Sequence, residues 1–252
     1  MATKFHVGDQ VWVPSTKLGG SLPYALTSRE VKGQRNRSVT VDAQGGATVN
    51  VSSRLVHPNT LGFLILTLGD FATEATLLDP LAKSTLQFMR ILVPDDVLHS
   101  VKLRTENELR QYMQLHGRGI SHVILIGHGT ANSLVTAAGR MEATSFVSAM
   151  DTYSVDRTLI SMACKTGQKG FSGVVSSADG WRDCVAPHQE IQGAGASLYA
   201  QFPLHTHLLH GHEFKASARL ADAATEGIKF RHWRNGRLQT APRAALISAV
   251  SP

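Results

Sequence analysis

Two apolar runs of strand length limit what this chain can fold into. Residues 122–130 read His-Val-Ile-Leu-Ile-Gly-His-Gly-Thr, and residues 158–167 read Thr-Leu-Ile-Ser-Met-Ala-Cys-Lys-Thr-Gly. Each is β-branched and continuous, then stops at a small polar cluster. Such runs suit strands buried on both faces of a parallel sheet. In parallel sheets ligands bind beyond the carboxyl ends of the strands. His128 and Cys164 fall at those ends, and a histidine beside a cysteine is the minimal equipment of a thiol nucleophile with its base.

The rest of the chain agrees with an α/β reading. Gly62 to Leu68 is another buried strand, closed by Gly69-Asp70. Asp79-Pro80 marks a helix start, with Leu81, Phe88 and Met89 on its buried face. A strand follows near Val97 to Leu103. Thr105 with Glu108 forms a capping box for a helix that Gly117 ends. A short helix near Ser145 to Met150 leads to the strand before Cys164. This alternation implies a parallel-rich sheet flanked by helices, with right-handed crossovers bringing the strand ends to one edge. Gly170 to Pro187, rich in Gly and Ser at its start, reads as a mobile loop. A short helix near Gln189 to Gly193, a strand over Ser197 to Leu204 and a helix over Glu213 to Glu226 are expected next. Ile228 to Arg234 and Arg237 to Ala241 flank Asn235-Gly236, a strong hairpin signal.

Residues 1–58 differ in pattern from 59–252. Val7 to Pro14 alternates, and Val39, Val41, Val49 and Val51 alternate on either side of Gly45-Gly46. Arg54 to Asn59 closes the segment. Short strands with Gly-rich turns imply a small β-barrel, and Trp12 reads as a core residue rather than a ligand platform. The order Val-Trp-Val-Pro, Val-Thr-Val, Val-His-Pro-Asn resembles the SH3-like barrel at the N-terminus of myosins.

Composition narrows the function classes. The chain has 252 residues, 42% of them hydrophobic. No apolar run approaches the roughly 20 residues that span a bilayer. The N-terminus lacks the apolar core of a signal peptide. Two cysteines provide no disulfide framework. The expectation is a cytoplasmic protein with no membrane partner, where a free thiolate is viable. A formal charge of +6 is spread along the chain. Lys32 to Arg37 is its densest basic stretch, with no nucleic-acid motif beside it, so nucleic acid is not expected as a partner.

A hydrolytic site needs a nucleophile, a proton shuttle and donors for the oxyanion. Here Cys164 is the nucleophile and His128 the acid–base. The backbone N–H groups of Gly129 and Cys164 are the expected oxyanion donors. Cys184, in the polar Trp-Arg-Asp-Cys stretch, is a bystander. Read alone, Asp70 is a cap for the next helix. His205, His207, His210 and His212 cluster without a recognised metal spacing, so neither a metal nor any other cofactor is expected.

Ala163-Cys164-Lys165-Thr166-Gly167 with Gly127-His128-Gly129 resembles the caspase signatures. In caspases the histidine lies about 50 residues upstream; here it is nearer, as in bacterial caspase-like and CHAT peptidases. The sequence departs by lacking Gln before Ala163 and by inserting Thr166. The resemblance implies a cysteine endopeptidase acting through a His–Cys dyad on protein or peptide substrates. In such peptidases the loop after the first sheet strand lines the pocket for the residue before the cut, so Asp70 there would favour Arg or Lys unless it only caps the next helix, with Asp179 as the second substrate-binding candidate. It also implies a place in a bacterial defence (CRISPR-linked) or cell-death cascade, with an upstream activating protease. Cleavage between Lys165 and Arg182 would then release a latent form. The rival readings are a non-catalytic caspase-fold adaptor and a nucleic-acid-associated protein using the basic barrel.

Overall fold

A computed structural model of the chain describes residues 4–19, 22–151, 156–225 and 230–239. The N-terminal part is a five-stranded antiparallel sheet: β1 (Gln10–Pro14), β2 (Leu26–Arg35), β3 (Ser38–Asp42), β4 (Thr48–Ser52) and β5 (His57–Pro58). Its strand order is β4-β3-β2-β1-β5. The Gly45-Gly46 turn has both residues at positive φ and joins β3 to β4 in the register Val39↔Val51 and Val41↔Val49. Val11, Val13, Val31, Val39, Val41 and Val51 form the sheet's own core. Trp12, between two of these valines, points the other way. It is buried in the core of the larger domain together with Leu26. Period-two alternation thus gives β1 two jobs, lining its own sheet and docking it.

The second sheet begins with β6 (Phe63–Leu68), β7 (Leu98–Leu103) and β8 (His122–Gly129). A hairpin of β9 (Ser133–Thr136) and β10 (Gly139–Glu142) follows, then β11 (Arg157–Ser161), β12 (Trp181–Pro187), β13 (Phe230–Arg234) and β14 (Arg237–Leu238). Strands β7, β6, β8, β11 and β12 are mutually parallel neighbours in that order, and β13 adds antiparallel to β12. Successive residues of β6, β8 and β11 feed opposite faces. Phe63, Ile65, Ile124, Ile126 and Ile160 join one core, and Leu64, Leu66, Val123, Leu125 and Leu159 join the other. Burial on both faces is why these strands read as unbroken apolar runs.

Among the described residues six α-helices cover the faces: α1 (Asp79–Leu92), α2 (Glu106–His116), α3 (Ala143–Met150), α4 (Val174–Ser177), α5 (Gly193–His210) and α6 (Phe214–Ala224). Pro80 sits in the first turn of α1, and Thr105 and Glu108 make the reciprocal capping box of α2. On α1, Thr85, Met89 and Leu92 are buried, while Leu81 and Phe88 are half-buried. Among the described residues, no helix is long and apolar enough to cross a membrane.

Three expectations fail. Residues 170–187 are not a loop: they form a π-turn, α4 and the buried strand β12. Gly170 and Gly173 serve close packing, as does Gly167 just before them. A Cβ on Gly167 would lie 2.3 Å from the carbonyl oxygen of Ala186. Ser197 to Leu204 is helix rather than strand. Ala196, Ala200, Leu204 and Leu208 recur at the helical interval and are buried, and Pro203 is carried inside α5. Residues 189–192 run as an irregular segment into α5 rather than as a helix of their own. The Asn235-Gly236 hairpin forms, with φ of 50° and 68°. Glu226, Ile228 and Ala241, at the edges of expected elements, lie outside the described residues.

The N-terminal sheet rests on α5 and the end of α1. Ala25 N–H donates to Ile91 O at 3.1 Å. The His57 ring lies 3.0 Å from Leu208 O through Nε2. Gly211, at φ 64°, brings the end of α5 so near Arg54 that a Cβ would sit 2.6 Å from its carbonyl.

Candidate active site

Strands β8 and β11 are parallel neighbours, paired up to Leu125↔Ser161. Strand β8 then runs on to Gly129, while the other chain segment turns at Ala163-Cys164. The two tips are pressed together. A Cβ on Gly129 would lie 2.7 Å from Cys164 O and 3.1 Å from Ala163 Cβ. A Cβ on Gly127 would lie 2.3 Å from Leu68 O on the other side. The Gly-His-Gly pattern is therefore a packing requirement on both flanks of His128.

The nucleophile turn is clamped from below. Ser161 Oγ accepts from Ala163 N–H at 3.1 Å, and Thr166 Oγ1 donates to Ala163 O at 2.7 Å. Ser172 Oγ donates to Thr166 O. Lys165 is held in the left-handed region at φ 62°, a strained conformation for a residue with a Cβ. Its N–H donates to Gln189 O at 3.2 Å, and its ammonium pairs with Glu190 at 2.8 Å. Residues 188–192 thus lie across the turn as a strap. Cys164 is half-buried beneath it: Sγ accepts from Ile191 N–H at 3.5 Å and faces Ile191 O at 3.7 Å.

His128 is held from the opposite side by the loop after β6. Its Nε2 lies 2.7 Å from Thr73 Oγ1. Thr73 Oγ1 donates in turn to Asp70 Oδ1 at 3.1 Å, which also accepts from the N–H groups of Ala72 and Thr73. The Thr73 N–H and hydroxyl hold the Asp70 carboxyl below the ordinary carboxylate range. In this resting geometry His128 bonds to Thr73 and Cys164 to Ile191, not to each other.

Ladder alternation fixes where the Gly129 amide points. Thr130 N–H donates to Ser133 O at 2.8 Å, which makes 130/133 a hydrogen-bonded pair. The next such pair is His128↔Val135, so Gly129↔Leu134 is of the other kind. The Gly129 N–H therefore faces away from β9, on the edge where the Cys164 turn lies. The Cys164 N–H has no backbone acceptor among the described residues.

The remaining candidates lie apart. Asp179 is exposed in a turn before β12, where Gly180 O accepts from the N–H of Arg157 at the start of β11. That is the amino end of the strands, opposite Cys164. Cys184 is inside β12 rather than in a loop; its thiol donates to Ser172 Oγ at 3.0 Å, and burial pushes it up to about 12. His205, His207 and His210 lie in the last turns of α5, with His212 just beyond. Among the described residues no group of His, Cys, Asp or Glu is arranged to hold a metal ion. Thr73 was not among the sequence candidates. The Asp-x-x-Thr spacing signals a capped turn, but nothing in it points to a histidine far along the chain.

No protein-family model matches this sequence, and no curated protein matches it. A solved structure does match: a secreted C11 cysteine protease from Bacteroides thetaiotaomicron, in complex with an irreversible peptide inhibitor. The TM-score is 0.51 at 9% identity, over 69% of this chain and 66% of that one. The fold is caspase-like. The likeness covers just under two thirds of the length of that protease, and at this identity it is a likeness of fold.

Proposed function

We propose that this chain is a cysteine endopeptidase working through His128 and Cys164. The observation that carries the reading is the apposition of Gly127-His128-Gly129 with Ala163-Cys164 at the carboxyl tips of neighbouring parallel strands in a caspase-like sheet. The Cys164 thiolate attacks the scissile carbonyl, and the oxyanion is received by the N–H groups of Gly129 and Cys164. One such donor is worth roughly 3 kcal/mol of barrier. The C–N bond breaks as His128 gives its proton to the leaving amine. Water, losing a proton to His128, then hydrolyses the thioester and frees the thiolate.

Ile191 N–H and C=O hold the resting sulfur, so attack on a substrate carbonyl requires Cys164 to give up those contacts. Latency relieved by an upstream basic-specific protease belongs to the same proposal, with Lys165, Lys169 and Arg182 as exposed basic positions on a segment folded into the π-turn, α4 and β12. Asp70 lies beside the histidine with a partly exposed carboxylate, which supports cleavage after Arg or Lys. Asp179, at the far end of the sheet, has no part in that pocket. The first 58 residues read as an SH3-like module, supported by the β4-β3-β2-β1-β5 order and the separate valine core. A cytoplasmic defence or cell-death cascade, and the CHAT-like subtype, belong to the same proposal.

The rival reading is a non-catalytic adaptor. Cys164→Ala assayed on peptides varied before the cut separates the two. Cleavage by the native chain that vanishes in the variant is the expected result. Equal cleavage by both, or none by the native chain after proteolytic activation, refutes the peptidase.

A further inference from the structure

We propose that Thr73 is the positioning residue of His128, fixing its hydrogen on Nε2 and leaving Nδ1 as the nitrogen that exchanges protons with substrate. The inference rests on the peptidase reading for its catalytic consequence and on hydrogen-bond counting for the assignment itself. A threonine hydroxyl carries one hydrogen. At Thr73 that hydrogen goes to Asp70 Oδ1, an acceptor with nothing to donate. The 2.7 Å contact with His128 must then be Nε2–H donating to the hydroxyl oxygen. The reverse arrangement would leave two oxygens with no hydrogen between them at 3.1 Å.

A neutral His128 so held has its lone pair on Nδ1. As imidazolium it keeps the Nε2–H bond and delivers the Nδ1 proton to the leaving amine, so the bond to Thr73 survives the whole cycle. The Asp70 carboxylate, one hydroxyl removed, stabilises that imidazolium. The geometry of the loop favours this role. Three donors converge on one Asp70 oxygen, and the only one that is not a backbone amide is the Thr73 hydroxyl. Asp70 thereby acts through Thr73, whether or not it also meets substrate.

The test compares the full-length protein with Thr73→Val and Thr73→Ser. Nitrogen-15 NMR of the histidine ring reads the tautomer without needing activity. Native protein and Thr73→Ser are expected to show His128 protonated at Nε2, and Thr73→Val a mixture. General acid–base groups contribute about 100–10,000-fold, so a loosened ring in Thr73→Val should lower kcat by roughly tenfold or more with little change in KM. Thr73→Ser should restore the rate. Protonation at Nδ1 in the native ring overturns the assignment, as does a Thr73→Val variant with native tautomer and native kcat. Should the native chain cleave nothing, the peptidase reading falls while the NMR comparison still decides the role of Thr73. Should Thr73→Val not fold, the native ring alone decides: a hydrogen on Nε2 supports the assignment and one on Nδ1 overturns it.

Discussion

Replacing Gly129 with alanine tests whether the two strand tips are pressed together as described. The new methyl would lie 2.6 Å from Thr166 Cγ2, 2.7 Å from Cys164 O and 3.1 Å from Ala163 Cβ. Carbon–carbon contacts settle at about 3.5 Å or more, so the closest pair must separate by roughly 0.9 Å. Thr166 cannot swing aside cheaply, because its hydroxyl is bound to Ser161 and Ala163. The turn cannot retreat either, because Gly167 already sits against Ala186 O. Overpacking of this kind costs about 1–3 kcal/mol. In a chain of this size each kcal/mol lowers Tm by roughly 2–4 °C. Moving the nucleophile turn by about 1 Å should also cut kcat/KM on the order of 100-fold. Urea melts give the first quantity and initial rates on a cleaved peptide the second. Gly33→Ala is the control, since its Cβ meets nothing nearer than Thr40 Oγ1 at 4.0 Å. A Gly129→Ala protein with the urea midpoint and activity of that control would show that the tips are not in contact.

Two further outcomes follow from titratable groups. Burial, then the neighbouring charge of His207, holds His57 down at about 4. The unfolded imidazole takes its proton near 6.5 and the folded one resists until about 4, so stability is lost as pH falls through that window, by roughly 3 kcal/mol. His57→Gln keeps an N–H for Leu208 O and does not titrate; urea midpoints at pH 7.5 and 4.5 should differ less in the variant, and equal slopes refute the assignment. Iodoacetamide on native protein at pH 7.5 should modify Cys164 alone, with Cys184 labelled only after unfolding; native double labelling would show that β12 is not buried as described.

Signals confined to a few neighbouring residues are legible in the sequence. The capping box at Thr105 and Glu108, the Pro80 start of α1 and the Asn235-Gly236 turn each depend on backbone chemistry within four residues. The buried strands at 63–68 and 122–129 are legible because burial on both faces leaves the runs Phe63 to Leu66 and Val123 to Ile126 with no polar position. Residues 170–187 and 197–204 mislead because composition and pattern are ambiguous there. Glycine marks a loop or a close approach, and an apolar run of eight fits a strand or a buried helix face. Only the neighbours decide: Asn132 and Trp233 against Gly170 and Gly173, and the packed surfaces of α1, α6 and the N-terminal sheet against residues 197–204.

The sequence by itself determined that two apolar strands end in a histidine and a cysteine, since period, length and flanking glycines are properties of a short stretch. Tertiary structure decided what those two residues touch. The hold of Thr73 on His128, the contacts of Ile191 with Cys164 and the exile of Asp179 to the far end join residues distant along the chain. Crossovers and strand order set such distances, and no local pattern encodes them.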